Sequence, residues 1–253
     1  MIGAAAAPRV AATQAPVALR LGAYRATISA SSEIRHAALS LRAHAFRKGA
    51  DDTDRFDANS LHGLVEDALG QPRVAFRVRL IPKAADLDRS YTGQFYDLDT
   101  LSAQSGPFLE LGRVCQSDGQ TDVMALRLAW AALSVMVDQN GVRMMFGCSS
   151  LAGADPEKHG AALAYLRAHH IGPRDLRPRR LSRDAVDLPD GQDNPCQLPH
   201  LLRSYLGLGG WISDHAIRDP QLDTLHVFTA LDIDAIPAPR KTRLRALARA
   251  AGA

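Results

Sequence analysis

Residues 108–115 read FLELGRVC, and they set a conflict that any fold must resolve. Phe108, Leu109, Leu111, Val114 and Cys115 suit a buried strand. Glu110 and Arg113 do not, because an ion placed in a core is costly unless it is paired. In a regular strand side chains alternate faces, so positions 110 and 113 point opposite ways. A bulge near Gly112 adds one residue, brings both side chains to one face and frees a backbone N–H. The segment therefore predicts a sheet strand that breaks beside Gly112; continuous pairing through 109–114 would refute it.

Upstream, residues 72–81 (PRVAFRVRLI) alternate, with Val74, Phe76, Val78 and Leu80 on one side and Arg73, Arg77 and Arg79 on the other, the pattern of a half-buried strand. LGAYRATIS (21–29) reads as a first strand. Ser31 or Ser32 can cap the following helix, whose Ile34, Ala37, Ala38, Leu41 and Ala45 recur at helical spacing up to Gly49. DDTDRFD (51–57) is a charged loop, and FYDLDTL (95–101) a short connection. Downstream, Asp122 can cap a helix to about Gln139, striped by Met124, Leu128, Ala131, Ala132 and Val135 and stopped by Asn140-Gly141. VRMMFGC (142–148) predicts a central strand, SSLAGADP a loop, and 157–170 a helix ended by Gly172-Pro173. LPHLLRSYLGLGGWISDHA and TLHVFTALDI predict a helix followed by two strands, and KTRLRALARA a short basic helix.

Strands and helices alternate, so the expected class is α/β or α+β with a mixed central sheet. The expected organisation is an Ala/Pro-rich flexible leader (1–19), a core (20–177), an Arg/Asp/Pro-rich linker or surface excursion (178–198), and a C-terminal extension packing on the core (199–253) with a basic tail.

Composition narrows the function classes. The 46% hydrophobic and 23% charged residues make an ordinary globular balance, and the net charge of +3 is too small to argue for nucleic acid. Arg174, Arg177, Arg179, Arg180 and Arg183 form one basic run; Arg240, Lys241, Arg243, Arg245 and Arg249 form another. Such runs are solvated faces or docks for an acidic partner or membrane surface. Cys115, Cys148 and Cys196 are an odd, widely spaced set without CxxC, which suggests neither a disulfide framework nor a metal site. A reducing, cytoplasmic compartment is expected, with room for peripheral contact at the inner membrane face. No GxGxxG or GxxxxGK[ST] is present, which disfavours dinucleotide and P-loop readings.

In order and spacing, LRAHAFR (41–47), DRFD (54–57), VAFR (74–77), GQFYDL (93–98), FLELGRVC (108–115) and MFGCSSLAGADP (145–156) resemble the L-ornithine N-alpha-acyltransferases of the acetyltransferase-like (GNAT-like) superfamily. The likeness runs over roughly residues 20–236. A more distant one, to acyl-homoserine-lactone synthases, rests on Phe46, Arg47, Asp54, Asp57, Arg77, Phe95, Glu110 and Arg113. The resemblance implies a GNAT-like fold and transfer of a 3-hydroxyacyl group from acyl carrier protein to the α-amine of L-ornithine, giving lyso-ornithine lipid. It implies no cofactor beyond the carrier's phosphopantetheine. Acyl carrier protein is acidic and suits the run at 174–183; the C-terminal helix, through Leu244 and Leu247, is expected to touch an anionic bilayer. Gln120 and Thr121 stand where many members carry Tyr-Arg, so phosphate recognition there would fall to backbone N–H groups at the helix start near 121–124. The alternatives are an acyl-homoserine-lactone synthase or another amino-acid acylator, and a non-catalytic acyl-binding relative.

The implied chemistry needs a neutral amine, whose ordinary pKa is roughly 8, and therefore a carboxylate that orients it and takes its proton. It also needs donors for the tetrahedral oxyanion. Glu110 is read as that base or as half of an ion pair with Arg77 or Arg113. Arg113 would hold a carboxylate, the substrate's or Glu110's. Asp54 and Asp57 are read as binding the cationic substrate or as a solvated turn, and Arg47 and Arg77 as binding the substrate carboxylate or bracing those acids. Gly112, Cys148, Ser149 and Ser150 are assigned to the donor's path. Buried cysteines behave as small hydrophobes, so Cys115 and Cys148 are not expected to be nucleophiles. His159, His169 and His170 read as surface, and Trp130 and Trp211 as core or acyl-tunnel lining.

Overall fold

The computed structural model describes residues 15–117, 121–192, 194–195 and 198–253. Its centre is a nine-stranded sheet in the order β1 (Val17–Leu21), β2 (Tyr24–Ser29), β3 (Leu61–Glu66), β4 (Pro72–Ile81), β6 (Phe108–Gln116), β7 (Met144–Ala152), β11 (Thr224–Asp232), β10 (Trp211–Asp219), β9 (Ala185–Asp187). Two further short strands, β5 (Tyr96–Asp97) and β8 (Arg179–Arg180), pair with each other. Every neighbour in the large sheet is antiparallel except β6 and β7. A parallel pair needs a crossover, and α2 (Val123–Gln139) supplies it, capped by the Asp122 carboxylate accepting from Ala125 N–H at 2.9 Å.

One face of the sheet is covered by α1 (Ser32–Arg47), which packs Ile34 and Ala38 on Leu64, Ala75 and Cys115, and by the turns of residues 84–101, whose Leu87, Tyr96, Leu98 and Leu101 bury Phe146 and Phe228. The opposite face carries α2, α3 (Gly160–His170), α4 (His200–Gly207) and α5 (Ala238–Ala250) over two apolar clusters. Ser31 caps α1 by accepting from Ile34 N–H, and Lys48 closes it in the left-handed conformation.

Several expectations change. The leader of 1–19 falls outside the described residues up to position 14, and from Val17 onward it is β1; the single first strand of 21–29 is a hairpin turning at Gly22. β3 is a strand the sequence did not announce, since LHGLVE is buried on both faces and does not alternate. β4 is likewise buried on both sides at its centre, with Arg77 inside rather than in solvent. Ser149 and Ser150 belong to β7, not to a loop. The 178–198 stretch is no plain linker: it contributes β8 and β9, and β9 extends the sheet beside β10. Residues 199–253 give β10 and β11 to the central sheet as well as helices on its surface. Leu244 and Leu247 pack on the core beside α2, where Arg245 pairs with Asp138 at 2.8 Å, so they do not form a free apolar face for a bilayer. Among the described residues no helix is long and apolar enough to cross a membrane.

Candidate active site

The break expected in FLELGRVC is present. Along β4 and β6, Ala75 faces Cys115 and Arg77 faces Gly112, so two steps on β4 are matched by three on β6. The extra residue is Arg113, which takes a φ of 52° while Gly112 stays in an ordinary conformation. A left-handed arginine costs about 1–2 kcal/mol, and it persists because the side chain is tied down. Its Nη2 lies 3.1 Å from Asp54 Oδ2, and its guanidinium sits 5.1 Å over the Tyr91 ring. Glu110 and Arg113 thus share the α1 face.

A second consequence follows at the parallel seam. β6 pairs with β7 only through Phe108↔Met144, Leu109↔Met145 and Glu110↔Phe146, although both strands run on. From Glu110 onward they part and leave a wedge. Gly147 borders it so closely that a Cβ there would collide with the Leu111 carbonyl oxygen. A cleft of about 350 Å³ fills the wedge, lined in part by Glu110, Gly112, Arg113, Cys148, Ser149 and Ser150.

Glu110 is not the ion pair that one reading expected. Its Oε1 accepts from Thr92 N–H at 2.8 Å and Thr92 Oγ1 at 2.7 Å, and its Oε2 accepts from Tyr91 N–H at 3.2 Å. A carboxylate has about four acceptor positions, so one on Oε2 is left over, and the residue lines the cleft. The carboxylate is therefore fixed in place and still available.

Beneath it lies a network of three arginines and three aspartates. Arg42, fully buried on α1, holds Asp52 at 2.9 Å and Asp57 at 2.6 Å. Arg77 holds Asp57 at 2.9 Å and Asp54 at 2.5 Å, and Arg113 completes the set through Asp54. Among these six residues the charges cancel, which is the condition for burying them, and Arg47 joins at Asp52 from a partly exposed edge. Burial alone would raise the Asp57 carboxyl, but the hydrogen bonds from Arg42 and Asp54 N–H and the charges of Arg42 and Arg77 outweigh it and bring it down to about 2. In neighbouring His62 desolvation wins: it lowers the imidazole to about 4, so the ring is neutral at physiological pH.

Asp57 is no solvated turn, and with a side chain without exposed surface it acts through Arg42 and Arg77. Asp54 is shared between Arg77 and Arg113 at the cleft's border, with a side chain 20% exposed. Arg77 braces both acids and lines the cleft. Arg47 pairs with Asp52 and donates to the Gln221 carbonyl at 2.8 Å, off to one side. Phe46 lines the cleft; Phe95 stands behind it, edge-on to Tyr91 at 5.3 Å and to His226 at 4.8 Å.

Cys115 is buried, and Cys148 is partly buried beside the cleft. Desolvation pushes Cys115 up to about 12 and raises Cys148 as well, so neither is a thiolate at neutral pH. Gln120 and Cys196 lie outside the described residues. In the first basic run Arg177 pairs with Asp214, Arg179 with Asp97 and Arg180 with Asp187.

Sequence reasoning missed Arg42, Asp52, the Tyr91-Thr92 pair and His226. Arg42 carried a signal: it falls on the helical stripe of Ile34 and Ala38, where a charge has no solvent to face. His226 interrupts an otherwise apolar run in β11; desolvation lowers it to about 4, and it lines the cleft as a neutral ring.

Comparison with known proteins agrees with this architecture. The family model for an acetyltransferase (GNAT) domain matches residues 34–131. An L-ornithine N(alpha)-acyltransferase of Rhodobacter capsulatus is 31% identical over 196 residues, covering 73% of this chain and 76% of that one. Proteins of the same description from Rhizobium meliloti and Brucella abortus are 30% and 28% identical, covering 73% and 86% of this chain and 68% and 85% of theirs. The chain is a GNAT-fold acyltransferase and belongs to the family of the L-ornithine N(alpha)-acyltransferases.

Proposed function

We propose that the protein transfers a 3-hydroxyacyl group from acyl carrier protein to the α-amine of L-ornithine. The observation that carries the reading is Glu110: a carboxylate immobilised by three donors, with one acceptor position left, at the point where β6 and β7 part. The relatives' activity supplies the name of the acceptor amino acid.

In this reading the donor's pantetheine arm lies in the wedge, its amides meeting strand backbone that β6 and β7 do not use on each other, along Ser149 and Ser150. Glu110 accepts a hydrogen bond from the ornithine amine and takes its proton, directly or through a water. The nitrogen attacks the thioester carbonyl, a C–N bond forms, the C–S bond breaks and the thiolate leaves. Arg113 faces the same cleft and suits the amino-acid carboxylate, while Asp54 orients Arg113. A backbone N–H at the bulge is placed to receive the oxyanion.

The test is incubation of the purified protein with 3-hydroxyacyl-carrier protein and each amino acid in turn, read by mass spectrometry. An ornithine-dependent N-acyl product is expected, and its absence refutes the proposal. Glu110→Gln should lower turnover by about 100-fold or more with an unchanged melting temperature; unchanged turnover removes Glu110 from the mechanism.

A further inference from the structure

Buried polar atoms nearly always find a partner, so those that do not are informative. Among the described residues Tyr205 Oη, Thr229 Oγ1 and His226 Nε2 are buried without one, and all three residues line the cleft. His226 lies on the α1 face with Phe228. Tyr205 and Thr229 lie on the other. Tyr205, on α4, stands edge-on to Trp130 of α2 at 5.8 Å, and Thr229 is the cross-strand neighbour of Gly147 on the α2 face. The two residues are 4% and 1% exposed, so bulk water does not serve their hydroxyls.

A small apolar void of about 10 Å³ adjoins the cleft beneath α2, lined by Phe76, Ala129, Trp130 and Leu133, and it shares Leu111, Val114, Leu126 and Leu201 with the cleft. A ligand in the wedge is thus offered strand backbone, two side-chain hydroxyls and an aliphatic lining. That combination fits an acyl chain with one hydroxyl close to its head. The pantetheine amides do not need these hydroxyls, because the backbone that β6 and β7 do not use on each other can bond them.

We infer that Tyr205 and Thr229 receive a hydroxyl on the donor's acyl chain near the thioester and so select hydroxylated over unsubstituted donors. The inference rests on the acyl-transfer reading above and deepens it. Each side-chain hydroxyl can donate or accept, so one ligand hydroxyl can partner both. An unsubstituted chain leaves both atoms unpaired in a water-poor site, which is how a site rejects an analogue that lacks a hydroxyl.

The test is calorimetric titration of the full chain with 3-hydroxytetradecanoyl-pantetheine and with tetradecanoyl-pantetheine. The wild type is expected to favour the hydroxylated ligand by at least about tenfold. Tyr205→Phe and Thr229→Val should each weaken only that ligand and erase most of the preference, while Thr229→Ser retains it. Thermal melts identify any variant that fails to fold, and the serine variant keeps the comparison interpretable in that case. Equal binding of both ligands by the wild type, binding of neither, or equal loss of both in the variants overturns the inference. Acylation of ornithine by the same samples separates the two readings: product without hydroxyl preference sinks this one alone, and preference without product sinks the transfer reading alone.

Discussion

Replacing Asp57 by Asn tests whether the buried charge network is what holds the site. Asp57 sits between Arg42 and Arg77, with no exposed side-chain surface, and its carboxyl is lowered from 3.8 to about 2. At roughly 1.4 kcal/mol per pH unit, that displacement corresponds to about 2.5 kcal/mol of stability. The folded value lies below the unfolded one, so this contribution is complete above about pH 5 and disappears as the pH falls from 3.8 towards 2. Asp57→Asn should therefore cost about 3–5 kcal/mol at pH 7, the size expected when one member of a buried pair is removed. The gap between variant and wild type should narrow by about 2.5 kcal/mol by the acid end of that window. Urea unfolding at a series of pH values from 7 down to 2.5, with Asp86→Asn on the surface as a control, measures both. Asp86 makes only an exposed pair with Arg89, so its replacement should change stability by less than about 0.5 kcal/mol. If the Asp57→Asn curve runs parallel to the wild type at every pH, the network is not stabilised through the ionised carboxylate and the reasoning fails.

Two further outcomes can be checked. His62 and His226 are each held neutral, lowered from 6.5 to about 4 mainly by desolvation, so protonation of the unfolded chain draws stability away as the pH falls from 6.5 to 4. Replacing either with Gln should flatten that part of the stability-versus-pH profile by up to about 3 kcal/mol, read from urea midpoints; an unchanged slope in both variants would contradict the burial argument. Gly147→Ala forces a methyl against the Leu111 carbonyl and should raise the donor's KM by at least about tenfold while leaving the amino acid's KM nearly constant; equal effects on both would show that the wedge is not the donor's path.

The parts of the fold legible in sequence were those where one physical requirement acts locally. Ser31 and Asp122 announce helix starts because unpaired N–H groups at a helix end need an acceptor, and both side chains supply it. The bulge was legible because Glu110 and Arg113 cannot share a face of an unbroken strand. The identity of the residue that bears the strain was not: glycine adopts positive φ freely, yet Arg113 does so, held by partners 54 and 91 that are far away in sequence. β3 and the outer half of β7 were illegible for the same reason, since sheet strands buried on both faces, or bordering a cleft, lose the alternation that identifies strands. Glu110 stands out in the sequence, but its partners do not, because Tyr91 and Thr92 contribute backbone N–H groups, which any residue type carries. Arg42 and Asp52 show the remaining limit. A salt bridge buried between a helix and a loop looks, in sequence, like two ordinary surface charges.

The parallel seam gives the sheet an unusual mechanical character. Five strands lie on one side of it and four on the other, and among the described residues the ladder across the seam has three residue pairs, with Arg143 N–H donating to the Pro107 carbonyl at 2.8 Å just before them. An extended molecule with amide groups, settled in the opening beyond Glu110, would lie where a tenth strand would lie and bond to both halves at once. Such a guest would add a ladder to each half, beside the buried clusters that already join Leu109 and Leu111 to Met145 and Phe108 to Phe146 across the seam. Slow amide exchange in β7 would then report occupancy of the opening rather than folding alone.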